Sequence, residues 1–185
     1  MHSHFITFNK FHKITISPRK HIHHLSEKTN TFMPVGWQII LINEGSLTST
    51  LNMLENEEMK INVVQKKYRV SNKKEKKVRA IWMENSIYSK LMFAKSLWTL
   101  TYVNENEYQL ELKKPLGTSF IQSEIDIYKS VCEIYYGYCK YLEKKMNYKG
   151  PIWGRKCIIH YENKNLITIQ EFFSPGILNA FHKNS

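Results

Sequence analysis

The sequence predicts an α+β fold, a single antiparallel β-sheet with short helices packed on one face. Three observations carry that expectation. About five stretches rich in β-branched and aromatic residues follow one another through short polar links. One clear helical signature, Ser46 to Glu55, stands ahead of them. No strand–helix–strand rhythm, GxGxxG or P-loop pattern occurs, so the nucleotide-binding α/β folds are set aside.

The bulk numbers agree. A chain of 185 residues makes one domain. With 42% hydrophobic and 13% aromatic residues it can build a packed core, unlike a disordered chain. No apolar run approaches the ~18–20 residues that span a bilayer, so no membrane partner is expected. Three cysteines, Cys132, Cys139 and Cys157, form no CxxC pair. That argues against a disulfide framework or a zinc site and for reduced thiols. Net charge is +11, but the Lys are scattered, with one dense run at Lys73, Lys74, Lys76 and Lys77. Excess Lys beside abundant Asn, Ile and Tyr has a simpler source, an AT-rich coding genome. No nucleic-acid partner is therefore expected, although a basic protein also steers small dianions inward.

Residues 1–36 read as a mobile, basic, His-rich arm. His2, His4, His12, His21, His23 and His24 all fall there. Lys10, Lys13, Arg19, Lys20 and Lys28 meet one acidic residue, Glu27, and apolar periodicity is weak. No carboxylate or thiol accompanies His21-Ile22-His23-His24 at ligand spacing, so no metal site is expected.

The domain proper is 37–185. It opens on an apolar run, Trp37 to Ile42, that stops at Asn43-Glu44-Gly45. Ser46 then caps a short helix with Leu47, Leu51 and Leu54 at i, i+4 and i+7. Met59–Val70 alternates as a strand, and Ser71-Asn72-Lys73-Lys74 is a turn. In the strand Val78–Met83, Val78, Ala80 and Trp82 share one face, while Arg79, Ile81 and Met83 share the other. Leu91–Tyr102 is a further strand, 104–113 a polar stretch with weak helical character, and Lys114-Pro115-Leu116-Gly117-Thr118 a breaker. Ser123–Cys139 is strand-like, and Tyr141–Lys149 is a charged helical insertion ended by Gly150-Pro151. Trp153–Tyr161 and Leu166–Phe173 form a hairpin about Glu162-Asn163-Lys164-Asn165.

Candidate site residues are those that break these patterns. Arg79 lies in an apolar row; buried, it needs an anionic partner, and its fork suits a planar carboxylate. Glu171 sits in the row of Ile167, Ile169 and Phe173. Burial would raise its pKa and fit it for proton transfer; alternatively it pairs with Arg79 or Arg155. Trp153-Gly154-Arg155 opens the hairpin, with Gly154 turning the backbone and Arg155 a second anion clamp. Gly45-Ser46 offers a helix N-terminus whose free N–H groups bind carboxylates and phosphates. Pro115-Leu116-Gly117 offers further N–H groups. Together they suit an acidic ring that carries a hydroxyl.

"GSLT", "VRAIWM", "PLG", "GPIWGRKCIIHY" and "LITIQEFFSP", in that order from Trp37 to Pro175, resemble the chorismate lyase (chorismate–pyruvate lyase) family. The likeness is to the cyanobacterial branch, also found as an open reading frame in red-algal plastid genomes. It implies a plastid stromal protein, or a cytoplasmic one if the source is bacterial. It implies elimination of pyruvate from chorismate to give 4-hydroxybenzoate, without metal or cofactor, by a monomer or weak oligomer. Carried over by position, Arg79 grips the ring carboxylate, Glu171 meets the ring 4-oxygen, and the Leu47 and Leu116 N–H groups bind the carboxylate. The best-known bacterial enzymes have Met where Leu47 stands, an exchange that a backbone contact tolerates. The 1–36 arm and the 140–149 insertion have no counterpart. Two other readings compete: a non-catalytic aromatic-acid-binding module of the same fold, as in the effector domains of some regulators, and nucleic-acid binding. The regulator reading expects a DNA-binding domain that this sequence lacks.

Overall fold

A computed structural model describes residues 11–18, 33–71, 74–87, 89–100, 127–161 and 164–182. Seven strands form one antiparallel sheet: β1 (His12–Pro18), β2 (Lys60–Ser71), β3 (Lys74–Glu84), β4 (Lys90–Leu100), β5 (Tyr128–Tyr138), β6 (Ile152–Tyr161) and β7 (Lys164–Phe173). Their order across the sheet is β1-β5-β6-β7-β4-β3-β2. Helices α1 (Val35–Ile42) and α2 (Leu47–Glu55) precede β2, and α3 (Lys140–Met146) joins β5 to β6. A short 3-10 turn, Pro175–Leu178, and α4 (Asn179–His182) close the described chain.

The pairing follows from alternation. Ser71 pairs with Lys74, and β3 runs back along β2 from there. Along β3, Arg79, Ile81 and Met83 face one side and Ala80 and Trp82 the other. Both rows are buried or half-buried. On the first side, Trp37, Ile40, Leu41, Leu47 and Leu51 of α1 and α2 pack on Met83, Ala94, Trp98, Ile134, Cys157, Ile169 and Phe173. On the second, Leu142 and Met146 of α3 pack with Trp82, Phe93, Tyr135 and Phe172. Helices therefore cover both faces, which corrects the expectation of a single covered face. The reason is visible in β3: a strand apolar on both parities needs cover on both sides.

His12–Pro18 forms the sheet edge beside Glu133–Tyr138 of β5, and the Phe11 ring lies 4.9 Å from that of Phe172. Most β1 side chains stay exposed, so the strand is held by its backbone and leaves no apolar period to read. Gly137 permits the approach, because a Cβ there would collide with the His12 carbonyl oxygen. Residues 1–10 and 19–32, His21-Ile22-His23-His24 among them, lie outside the described residues. So do 104–113 and the breaker at 114–118.

Candidate active site

The apolar run Trp37 to Ile42 is the body of α1, and its C-terminus points at the middle of the sheet. The last turn of α1 holds no basic residue of its own. Arg155 on β6 supplies the charge instead. Its Nη1 donates to the carbonyl oxygens of Ile40 (2.7 Å), Leu41 (3.2 Å) and Asn43 (2.8 Å). Carbonyls left over at a helix end are thereby satisfied across the fold.

Arg155 Nε meets Glu171 Oε2 at 2.5 Å, between residues paired in register on β6 and β7. Arg155, read from the sequence as a second anion clamp, is fully buried beneath Glu171 and is not among the residues that line the cavity described below. Gly154 makes no turn. It pairs with Phe172 in mid-strand, where a Cβ would meet the Glu171 carbonyl oxygen at 2.7 Å. The missing side chain lets β6 and β7 close up under the site.

Glu171 titrates in the direction opposite to the sequence expectation. Burial does push its carboxyl up, but Arg155, Lys129 and hydrogen bonds from Arg155 and Cys157 outweigh it and hold it below the usual carboxylate range. Burial drives the Cys157 thiol up to about 12, so it stays protonated, with Sγ 3.9 Å from Glu171 Oε2. Glu171 is therefore a carboxylate at neutral pH, a hydrogen-bond acceptor and not a donor. Both contacts use Oε2, which leaves Oε1 uncommitted among the described residues.

One cavity of about 260 Å³ gathers the remaining parts. Its walls include Glu44 to Thr48, Arg79, Lys129 and Glu171, over a floor of Ile81, Met83, Met92, Ala94, Ile159 and Ile169. Arg79 is 3% exposed, and burial lowers its pKa from an ordinary value far above neutrality. It remains charged beside Ile81 and Met83 of its own strand face. Ser46 caps α2 as expected, its Oγ accepting from Ser49 N at 3.3 Å. Leu47 and Thr48 occupy the first two helical positions, whose N–H groups no intrahelical bond uses. The turn is fastened to β5 twice: Glu44 Oε1 accepts from Val131 N at 3.3 Å, and Lys129 Nζ donates to Gly45 O at 2.5 Å.

So Arg79, Glu171 and the Leu47 turn meet at one cavity, Arg155 stands behind it, and Leu116 lies outside the described residues. Sequence reasoning misses Lys129. The signal is there, because Ile125, Ile127, Lys129 and Val131 share one parity, and a charge breaks that row as Arg79 and Glu171 break theirs. It also misses Glu44, which nothing in a polar turn marks out.

Residues 41–182 match the family described as chorismate pyruvate-lyase Rv2949c-like. The chain belongs to this family. Among its relatives, the uncharacterized protein ycf21 of Antithamnion sp. is 37% identical over 150 residues, 81% of this chain and 84% of its own length. The ycf21 protein of Pyropia yezoensis is 33% identical over 157 residues, 82% of this chain and 87% of its own. These ycf21 relatives are plastid-encoded, and they place the present chain in the plastid. Among the described residues no helix is long and apolar enough to cross a membrane. A solved structure of a possible transcriptional regulator, YydK from Bacillus subtilis, matches with TM-score 0.50 and 12% identity. It covers 65% of this chain and 59% of that one, and shares the fold alone.

Proposed function

We propose that the protein is a chorismate lyase that releases pyruvate from chorismate and leaves 4-hydroxybenzoate. The observation that carries the reading is the meeting of Arg79, Glu171 and the α2 N-terminus at one cavity with an apolar floor. Arg79 takes the ring carboxylate with two parallel hydrogen bonds, joined by the Leu47 N–H. The ring lies over Ala94 and Ile169. Glu171, ionised, accepts from the ring hydroxyl. Leu116, on a stretch outside the described residues, is proposed to add a second N–H to the carboxylate.

The reaction asks little more of the protein. The C–O bond to the enolpyruvyl group breaks and its electron pair leaves on oxygen. The ring carbon bearing the hydroxyl loses its hydrogen, and the enolpyruvyl methylene gains a proton. Aromatisation drives this downhill, so orientation and fixed charge suffice. Purified protein given chorismate is expected to release pyruvate and 4-hydroxybenzoate in equal amounts, and to keep doing so in a chelator. In parallel, Arg79→Ala is expected to weaken 4-hydroxybenzoate binding by roughly 10- to 100-fold, as loss of a charge-assisted pair does. Tight 4-hydroxybenzoate binding without pyruvate release would point to a binding module of the same fold. Unchanged affinity in Arg79→Ala would remove that residue from the site.

A further inference from the structure

The cavity holds a second cation that the lyase reading leaves without a task. Lys129 lines it from β5, on the far side from Arg79. The sheet order sets the geometry. Glu171 lies on β7, two strands from Arg79 on β3 and two strands from Lys129 on β5. Register places Arg79 level with Ser96 and Ile169, two residues along β7 from Glu171. Lys129 is level with Ile159 and Ile167, four residues along in the same direction. At about 4.8 Å per strand the backbones of the two cations stand roughly 19 Å apart, and both long side chains reach inward from there. A ring held by Arg79 over Ala94 and Ile169 would therefore have Lys129 beyond its far edge.

Lys129 has capacity to spare. An ammonium has three donors. Among the described residues it spends one, on Gly45 O. Glu44 and Glu171 lie close enough to act on its charge, but neither is bonded to it. Half-buried beside Ile127 and Ile159, it stands over an apolar floor with two donors open.

The charge balance of the cavity points the same way. Arg79 and Lys129 are offset on the lining by Glu44 and Glu171. Chorismate carries two carboxylates, one on the ring and one on the enolpyruvyl group. Arg79 and the α2 N-terminus answer the first. A second carboxylate beside Glu44 and Glu171, with no cation of its own, would be repelled and desolvated. We propose that Lys129 is the residue that receives the second carboxylate, that of the departing enolpyruvyl arm. The site then recognises a ring acid bearing an ether-linked acid on its far side, and it binds the one-carboxylate product less tightly than the substrate.

This inference rests on the lyase reading, and binding measurements separate the two. The probes are 3-(carboxymethoxy)benzoate and 3-methoxybenzoate, which differ by one carboxylate, measured by calorimetry on the full chain. Wild type is expected to prefer the dicarboxylate by roughly 10- to 100-fold, the range of one charge-assisted contact. Lys129→Gln is expected to erase that preference while holding 3-methoxybenzoate within about threefold, and Lys129→Arg to restore it. Kinetically, Lys129→Gln should raise the KM for chorismate far more than it lowers kcat, because the contact is present in substrate and transition state alike. No preference in wild type overturns the proposal. So does a preference that survives in Lys129→Gln, or an equal loss of both ligands, which would mean that Lys129 only fastens the Gly45 turn. If wild type binds the dicarboxylate preferentially but releases no pyruvate from chorismate, the lyase reading falls and the assignment of Lys129 stands.

Discussion

Arg155 is the residue on which the site's geometry hangs. Its guanidinium ties Glu171 to three carbonyls at the end of α1, so one side chain sets both the buried carboxylate and the turn that follows the helix. Replacing it by Met would leave a buried carboxylate and helix carbonyls unpaired. Arg155→Met is expected to destabilise the protein by about 3–5 kcal/mol, read from denaturant unfolding. A loss under about 1 kcal/mol would show that the brace is dispensable. The same pair predicts a pH dependence. The folded Glu171 value lies below the ordinary one, so acid protonates the unfolded chain first. Its contribution is complete above about pH 4.3 and disappears as pH falls through the depressed folded value. The stability gap between wild type and Glu171→Gln should therefore narrow in acid. Parallel curves from neutrality to pH 3 would assign the acid lability to other groups.

At the scale of elements, α2 shows how a cap becomes part of a site. Ser46 Oγ satisfies the third N–H of the helix and leaves the first two, Leu47 and Thr48, for a ligand. Thr50 Oγ1 donates to Ser46 O and accepts from Asn43 Nδ2, which stiffens the same turn. Ser46→Ala is expected to cost about 1 kcal/mol of stability. It should also loosen 4-hydroxybenzoate binding by several-fold, since the cap orients the Leu47 N–H. A stability loss with unchanged affinity would detach the helix terminus from ligand binding. This helix was readable because its cap and leucine spacing are local signals. Helix α1 was not, because a short run from Trp37 to Ile42, apolar except at Gln38, carries no helical period. Strand β1 escaped notice for the opposite reason, having exposed side chains and backbone pairing only.

Over the whole molecule, two apolar layers lie on one seven-stranded sheet, and the site sits within the layer that α1 and α2 cover. Among the described residues, strands β2 to β7 overlap the stretches that the alternation marks out, with ends shifted by one residue in β2 and an earlier start in β3. Arg79 and Glu171 were legible as charges in apolar rows, because burying a charge is costly enough to demand a reason. By itself the sequence determined the strand faces, the capped helix and those two residues, since all are set by contacts within a few positions of the chain. Only the tertiary structure decided that Arg155 pairs with Glu171, that α3 covers the opposite face, and that Lys129 stands across the cavity from Arg79. Strand order brings residues 79, 129, 155 and 171 together, and strand order depends on pairings between distant segments that no local pattern encodes.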